Sequence, residues 1–216
     1  MPITHNVQVV EKWSLISGFA KDASESAYPE LWEGLRFGWA PSLGIQGSTL
    51  VGVGPVRTGM TLSNGNVWGL NRPPMYIAPT FNGTSDTAQT AATLDLTGTT
   101  RLSVVYWLYW NAFSNNDDLA WESSDDFNVN AGAIQNNPNW SGVDYLVGIT
   151  NSAGTGACFR SFTRPTAAVW HHYLLVLDLT ATWATAVNAL YLDGVPITLT
   201  DVTADVTAPS SFGNYI

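Results

Sequence analysis

The sequence is short of cysteine and of positive charge. Cys158 is the only cysteine in 216 residues, so no intrachain disulfide can form and a disulfide-stapled fold is excluded. Eight basic residues stand against 17 acidic ones, which gives a net charge of −9. Nucleic acids and anionic membranes both attract proteins through a concentrated cationic face, so we expect neither as a partner.

Long apolar runs and export signals are also missing. No apolar run approaches the length that spans a bilayer. Residues 2–13, PITHNVQVVEKW, lack the basic and apolar regions of a signal peptide, so none is expected. Charged residues make up only 12% of the chain, and Ser, Thr, Asn and Gly must therefore cover much of the surface. Such a surface is typical of extracellular and virion β-proteins.

What the sequence does contain predicts β-structure from Leu35 onward. Short runs rich in threonine, valine and aromatic residues alternate with Gly, Asn and Pro clusters. The run RLSVVYWLYW (101–110) is apolar on both of its alternating faces, which predicts a strand covered on both sides. In ALYLDGVPITL (189–199), Asp193–Gly194 predicts a two-residue hairpin turn, because both central positions need positive φ. Pro196 cannot donate to a ladder and should face outward or lie at an edge.

Residues 1–30 differ from the rest of the chain and hold its only two lysines, Lys12 and Lys21. We interpret them as an N-terminal arm or lead-in to a domain that spans residues 31–216. A strand packed on that domain is the alternative. Pro29, followed by two glutamates, predicts one short helix over 29–35.

The tandem histidines in AVWHHYLLVLDLT (168–180) raise the question of catalysis or metal binding. Neighbouring residues of a strand point to opposite faces, so His171 and His172 cannot ligate one ion from the same side. No zinc motif and no Gly-x-Ser-x-Gly elbow accompanies them. We therefore interpret the pair as the start of a strand. Arg160 could lower the thiol pKa of Cys158, but a small buried apolar side chain is the interpretation we favour.

Four segments occur in a characteristic order: PELWEGLRFGWAPSLGIQGSTL (29–50), FNGTSDTAQ (81–89), LSVVYWLYW (102–110), and VWHHYLLVLDLT with NALYLDGVPI (169–197). The last three resemble the turn, core strand and Trp-His-His strand with hairpin of laminin-G-like domains, in the concanavalin A-like lectin and glucanase family. The first resembles the lead-in of laminin-G-like proteins encoded in phage genomes. The resemblance implies an all-β fold, a two-sheet antiparallel jelly-roll sandwich of the concanavalin A-like type.

The chain departs from the family pattern in two places. Where the family has an Asp- or Asn-rich loop beside its calcium site, residues 51–59 read VGVGPVRTG, and Arg57 places positive charge where calcium needs oxygen ligands. Asp86 is retained, but one carboxylate makes a weak calcium candidate, so we expect no cofactor. Family members also continue with a strand pair after the segment matching SSFGNYI. We expect the N-terminal arm or a neighbouring subunit to cover that edge.

The acidic stretch NNDDLAWESSDDF (115–127) is the candidate for hydrolysis. Glucanases of this fold carry alternating Glu, Asp and Glu on one strand, with carboxylates flanking the sugar bond. Here the order is different: Asp117, Asp118, Glu122, Asp125 and Asp126. A solvated acidic loop is the favoured interpretation, and a calcium loop is a further one.

Ten tryptophans are many for this length. Most of them, including Trp39, Trp107, Trp110 and Trp170, are predicted to fill the sandwich. The candidate carbohydrate-binding residues lie in predicted loops, where exposed aromatic faces can stack on sugar rings. They are Trp121, Trp140, Asn137 and Asn139.

Together these patterns favour binding or assembly over catalysis. We expect a non-enzymatic virion component, a capsid decoration or fibre-like protein of a bacteriophage, in contact with capsid or tail subunits and forming a homo-oligomer. A carbohydrate-binding module that holds host glycans is the alternative, and a glycoside hydrolase using residues 117–126 is a third hypothesis.

Overall fold

The fold is all-β within the part of the chain that the computed structural model describes, and the sheets are antiparallel. The chain divides into two compact units, residues 1–94 and 95–216. Within the described residues, no helix is long and apolar enough to cross a membrane. The described residues are 33–39, 45–46, 48–55, 58–64, 67–70, 77–82, 85–113, 119–124, 127, 130–140, 144–151, 153, 157–181, 186–203 and 209–215.

The first unit is built from short strands. They are β1 (Gly38–Trp39), β2 (Ile45–Gln46), β3 (Thr49–Leu50), β4 (Gly52–Val53), β5 (Met60–Leu62), β6 (Val67–Leu70), β7 (Ile77–Thr80) and β8 (Ala88–Thr90), followed by β9 (Leu94–Asp95) at the division. A four-stranded sheet has the order β2-β3-β5-β8, and β1 pairs with β4 and β6 with β7. Leu50, Val53 and Leu62 are buried. The indole N–H of Trp39 donates to the Thr58 carbonyl at 2.8 Å.

The second unit carries the long strands. They are β10 (Arg101–Tyr109), β11 (Trp121–Ser123), β12 (Ile134–Trp140), β13 (Asp144–Thr150), β14 (Ala157–Thr163), β15 (Trp170–Asp178), β16 (Val187–Leu192), β17 (Val195–Ile197), β18 (Thr200–Thr203) and β19 (Asn214–Tyr215). One sheet has the order β10-β15-β16-β17 and another β11-β12-β13-β14-β18. The nine-residue pairing of β10 with β15 is the longest regular ladder in this unit.

The two larger sheets of the second unit face each other through tyrosine side chains. Tyr145 of β13 is fully buried, and its hydroxyl shares a hydrogen bond with that of Tyr106 on β10. The ring of Tyr145 lies 5.3 Å from that of Tyr173 on β15 and 4.9 Å from that of Phe162 on β14. Aromatic pairs at these distances stabilise a core beyond simple area burial. The architecture is therefore sandwich-like, as the sequence predicted.

Burial of these tyrosines predicts an alkaline transition. Burial raises the pKa of Tyr106, Tyr145 and Tyr173 because it disfavours the charged phenolate. Each therefore contributes stability that is fully present below the ordinary tyrosine pKa of about 10 and is lost as the pH rises above it. In a spectrophotometric titration, we expect at least these three of the eight tyrosines to ionise only together with loss of the β-sheet circular dichroism. Smooth ionisation of every tyrosine in a native chain would contradict this.

The hairpin prediction is confirmed. Asp193 and Gly194 have φ values of 53° and 81°, and Leu192 pairs directly with Val195 across the turn. Pro196 is exposed on β17, the edge strand of the four-stranded sheet. Its missing N–H therefore interrupts no inner ladder.

The expected cover over β10 is wrong on one face. Val105 and Trp107 are 58% and 59% exposed, whereas the strand was predicted to be covered on both sides and Trp107 to fill the sandwich. The sequence correctly predicted a strand with two apolar faces, but an apolar outward face has the same sequence pattern whether or not another layer covers it. Other predicted core tryptophans, Trp39, Trp110 and Trp170, are partly buried.

The sequence predicted an N-terminal arm, a short helix after it and a covered sheet edge near residues 210–216. The arm over residues 1–30 and its boundary lie outside the described residues, and of the predicted helix only 33–35 are described, where Glu33 and Gly34 form a turn. Near the other end, the Phe212 N–H donates to the Thr99 carbonyl at 3.0 Å, and the Leu96 N–H to the Gly213 carbonyl at 3.2 Å. Phe212 itself is buried. Cover of that edge by the arm or by a second subunit stays a prediction.

Candidate functional site

The outward face of β10 and β15 is the most unusual surface of the second unit. The register pairs Val105 with Leu174, Trp107 with His172, and Tyr109 with Trp170. Directly opposed residues of an antiparallel pair share a face, so these six side chains form one surface, which we call the outer apolar face. The rings of Trp107 and His172 lie 5.0 Å apart, and those of Tyr109 and Trp170 lie 5.5 Å apart.

Charge lies at one end of the outer apolar face. Arg101 pairs with Asp178 in the ladder, and their side chains form an ion pair at 3.0 Å. The Thr180 hydroxyl and N–H donate to Asp178, and with Arg101 they lower the pKa of its carboxyl below the ordinary value against the opposing effect of desolvation. The next four residue pairs on the same face of the ladder are Ser103–Val176, Val105–Leu174, Trp107–His172 and Tyr109–Trp170, and they contain no Asp, Glu, Lys or Arg. A surface of this kind can bury apolar area at little electrostatic cost.

The tandem histidines are divided between two environments. The ring of His172 lies against Trp107 on the outer apolar face. His171 is on the other side of the strand, where its Nδ1 is 2.7 Å from Asp193 Oδ2 and its Nε2 is 3.2 Å from the Thr166 carbonyl oxygen. Both ring nitrogens of His171 are therefore engaged with oxygen atoms of the protein. This arrangement agrees with the expectation that neighbours on a strand diverge.

Asp193 joins the hairpin turn to the start of β15. Its Oδ1 accepts the His172 N–H at 2.8 Å, and its own N–H donates to the His172 carbonyl at 2.8 Å. Desolvation alone would raise the pKa of its carboxyl, but the hydrogen bonds from the His172 N–H and the His171 ring outweigh it and hold the pKa below the ordinary value. The hydrogen bonds of Asp193 to His171 and His172 therefore hold the hairpin turn against the start of β15. The imidazole of His172 packs instead against Trp107.

The predicted carbohydrate-binding residues are in strands, which corrects the expectation of loops. Trp121 begins β11, and its half-buried ring meets Tyr106 edge-on at 6.4 Å. Asn137 is only 4% exposed in β12, so its amide does not lie at the surface. Asn139 and Trp140 end the same strand, and their side chains lie outside the described residues. Asparagine clusters resemble loops in sequence, but here pairing with β11 and β13 overrides that preference.

The acidic stretch is described only in part. Glu122 lies in β11 opposite Gln135, and it accepts a hydrogen bond from the Ser124 hydroxyl. The other four carboxylates, Asp117, Asp118, Asp125 and Asp126, lie outside the described residues. Whether two of these carboxylates lie at the distance that glycoside hydrolysis requires is therefore not tested, and the hydrolase hypothesis stays a prediction.

Asp86, the weak calcium candidate, closes a turn. Its Oδ2 accepts the Asn82 N–H at 2.8 Å, while Asn82 Oδ1 accepts the N–H groups of Ser85 and Asp86 at 3.0 and 3.2 Å. Arg57 lies outside the described residues. In the described part of the chain, no three His, Cys, Asp or Glu side chains cluster closely enough to hold a metal ion.

Cys158 is a buried side chain of β14, as expected. Burial raises the pKa of its thiol, and this effect outweighs the opposing influence of backbone hydrogen bonds and of the Arg160 charge. Arg160 is occupied elsewhere, with its guanidinium 2.8 Å from Asp201 Oδ1 and donating to the Val187 carbonyl at 3.0 Å. Cys158 is therefore a buried packing residue of β14.

Comparisons with known proteins provide no match. No family model, curated protein or solved structure matches this chain. Function must therefore be argued from the surfaces themselves. The sequence did not indicate two residues of interest: Trp107, which was predicted to lie in the core, and Arg164, which lines a surface depression. Trp107 shares an apolar face with Val105 and Tyr109 in the sequence pattern, but periodicity does not distinguish a covered face from an open one.

Proposed function

We propose that this chain is a non-enzymatic structural component of a bacteriophage virion, a capsid decoration or fibre-like protein built on a concanavalin A-like jelly roll. It acts by assembling with capsid or tail subunits and with further copies of itself. The outer apolar face is the observation that carries the proposal, since Val105 and Trp107 are more than half exposed on a sheet surface. Contiguous exposed apolar surface usually marks an interaction site.

The composition of the outer apolar face suits a protein interface. Interface cores are enriched in Trp and Tyr and depleted in Lys, Glu and Asp, and this face presents Trp107, Tyr109 and Trp170 around one imidazole. Trp in particular is over-represented among the few residues that provide most of the binding energy. The sheet also holds these side chains on a paired backbone, so little conformational freedom is lost on binding.

The virion assignment is tested by mass spectrometry of gradient-purified phage particles from the organism that encodes this chain. We expect peptides of this chain in particles washed at high salt, because apolar contacts survive the screening that removes ionic ones. The copy number should be a simple ratio to the major capsid or tail protein. Recovery of the chain only among free proteins of the lysate would contradict the assignment.

A carbohydrate-binding module is the second candidate. Trp107 favours it, because an exposed indole can stack on a sugar ring. On a glycan array this function requires saturable binding that is lost in Trp107→Ala, or in Trp121→Ala or Trp140→Ala, and kept in Leu119→Ala, an exposed apolar control. If these tryptophan variants lost glycan binding but kept their self-association, glycan recognition would replace assembly as the proposed function.

A further inference from the structure

A second surface of the same unit is not explained by assembly through the outer apolar face. An open depression of about 430 Å³ is lined by Phe113, by Thr163 at the end of β14 and by residues 164–167 after it. Its volume is that of a small-molecule site. Among the described residues that line it, Arg164 is the only charged one, although the chain as a whole has nine more acidic than basic residues.

The Arg164 guanidinium is held in place by an aromatic ring. Its central carbon lies 4.1 Å from the centroid of the Phe113 ring, and Phe113 stacks on Trp110 at 5.8 Å with an interplanar angle of 12°. A cation over an aromatic face is attracted by the ring quadrupole. The aromatic stack therefore gives the fork of N–H groups a defined orientation before any ligand arrives.

One nitrogen of that guanidinium lacks an acceptor within the described part of the chain. Its Nη1 is shielded from solvent and has no hydrogen-bond partner there, and no described carboxylate forms an ion pair with the guanidinium. The other two arginines of this unit, Arg101 and Arg160, each pair with an aspartate. A positioned guanidinium without an acceptor is uncommon, because buried donors are nearly always satisfied.

We propose that this depression binds the carboxylate of a small acidic ligand, of the class of acidic sugars such as hexuronates. The Nε and Nη2 edge of a planar guanidinium, which does not include the shielded Nη1, matches a carboxylate in two parallel hydrogen bonds. Phe113, Pro165 and Ala167 supply apolar surface for the face of a ring. The hydroxyl-bearing residues Thr163 and Thr166 are exposed at the depression and provide partners for sugar hydroxyls. This inference is independent of the proposed assembly role.

The test is a titration of the full chain with glucuronate, followed by NMR or calorimetry, with glucose as the uncharged partner and inorganic sulfate as a second anion. We expect glucuronate to bind with a dissociation constant of the order of 1 mM, and glucose and sulfate to bind at least roughly tenfold more weakly. Equal binding of glucose, equal binding of sulfate, or no binding of glucuronate would each overturn the proposal.

Variants locate the binding. Arg164→Gln should weaken glucuronate binding by about tenfold or more, and Arg164→Lys should recover only part of it, because lysine lacks the planar fork. Arg101→Gln, which removes an exposed arginine elsewhere, is the matched control and should leave binding unchanged. Equal losses in Arg101→Gln and Arg164→Gln would refute the site. Because the wild-type titration needs no substitution, a folding defect in any variant leaves the proposal testable.

Discussion

Replacing Tyr145 with alanine is expected to lower the free energy of unfolding by about 3–5 kcal/mol, the range found for deleting a large buried aromatic side chain. Tyr145 is fully buried and contacts the rings of Phe162 on its own sheet and Tyr173 on the facing sheet. Its removal leaves a cavity where the two sheets meet, and the surrounding rings can fill that cavity only in part. Urea unfolding followed by circular dichroism measures the loss.

Tyr145→Phe is the matched control, because it keeps the ring and removes only the hydroxyl. It leaves the Tyr106 hydroxyl with Asn136 Oδ1 at 3.4 Å as a long alternative acceptor. We expect a loss of about 1 kcal/mol, the net worth of one buried hydrogen bond. A loss as small for Tyr145→Ala as for Tyr145→Phe would mean that the sheets do not pack through this ring.

Asp193→Ala is expected to lower the free energy of unfolding by about 2 kcal/mol. The substitution removes the acceptor for the His172 N–H and for the His171 ring. It also places alanine at a φ of 53°, where a β-carbon is disfavoured and aspartate is better tolerated. Because the carboxylate is half exposed, solvent screens its ionic attraction to His171, and the hydrogen bonds and the backbone provide most of the effect.

The loss in Asp193→Ala should depend on pH. The pKa of this carboxyl is lowered in the folded chain, so its contribution is present above the unfolded value of about 3.9 and is lost as the pH falls through the folded value. Urea unfolding at pH 7 and at pH 3 should therefore show a larger difference between wild type and variant at pH 7. Asp178→Ala, which removes a partly buried carboxylate paired with Arg101 and Thr180 but leaves the turn unchanged, should cost about 1 kcal/mol. A larger difference at pH 3 would contradict the role given to Asp193.

Local patterns determined which features could be predicted from sequence. The Asp193–Gly194 turn was predictable because two successive positive φ values strongly restrict the residue types. The strand over Trp170–Asp178 was predictable because its nearly continuous apolar run resembles that of residues 101–110. The divergence of His171 and His172 followed because neighbouring side chains of a strand point to opposite faces.

Features that depend on distant pairing were not predictable from sequence. The exposure of Trp107 depends on whether another layer covers the sheet, which no local pattern encodes. Trp121 and Asn137 were expected in loops because Asn and Asp disfavour strands, but they pair within one sheet. The depression at Arg164 is formed by residues 163–167 together with Phe113, about fifty positions away, so only the folded chain brings its cation and its ring together.

Sedimentation velocity of wild type, Trp107→Glu and Leu119→Glu tests most directly whether the outer apolar face mediates assembly. Leu119→Glu introduces the same charge at another exposed apolar position, so it controls for a general effect of charge. We expect a concentration-dependent oligomer for wild type and for Leu119→Glu, and self-association weakened by about 30-fold or more in Trp107→Glu, as for a central interface tryptophan. A wild-type chain that stays monomeric at every concentration, or a Trp107→Glu variant that assembles like wild type, would contradict it.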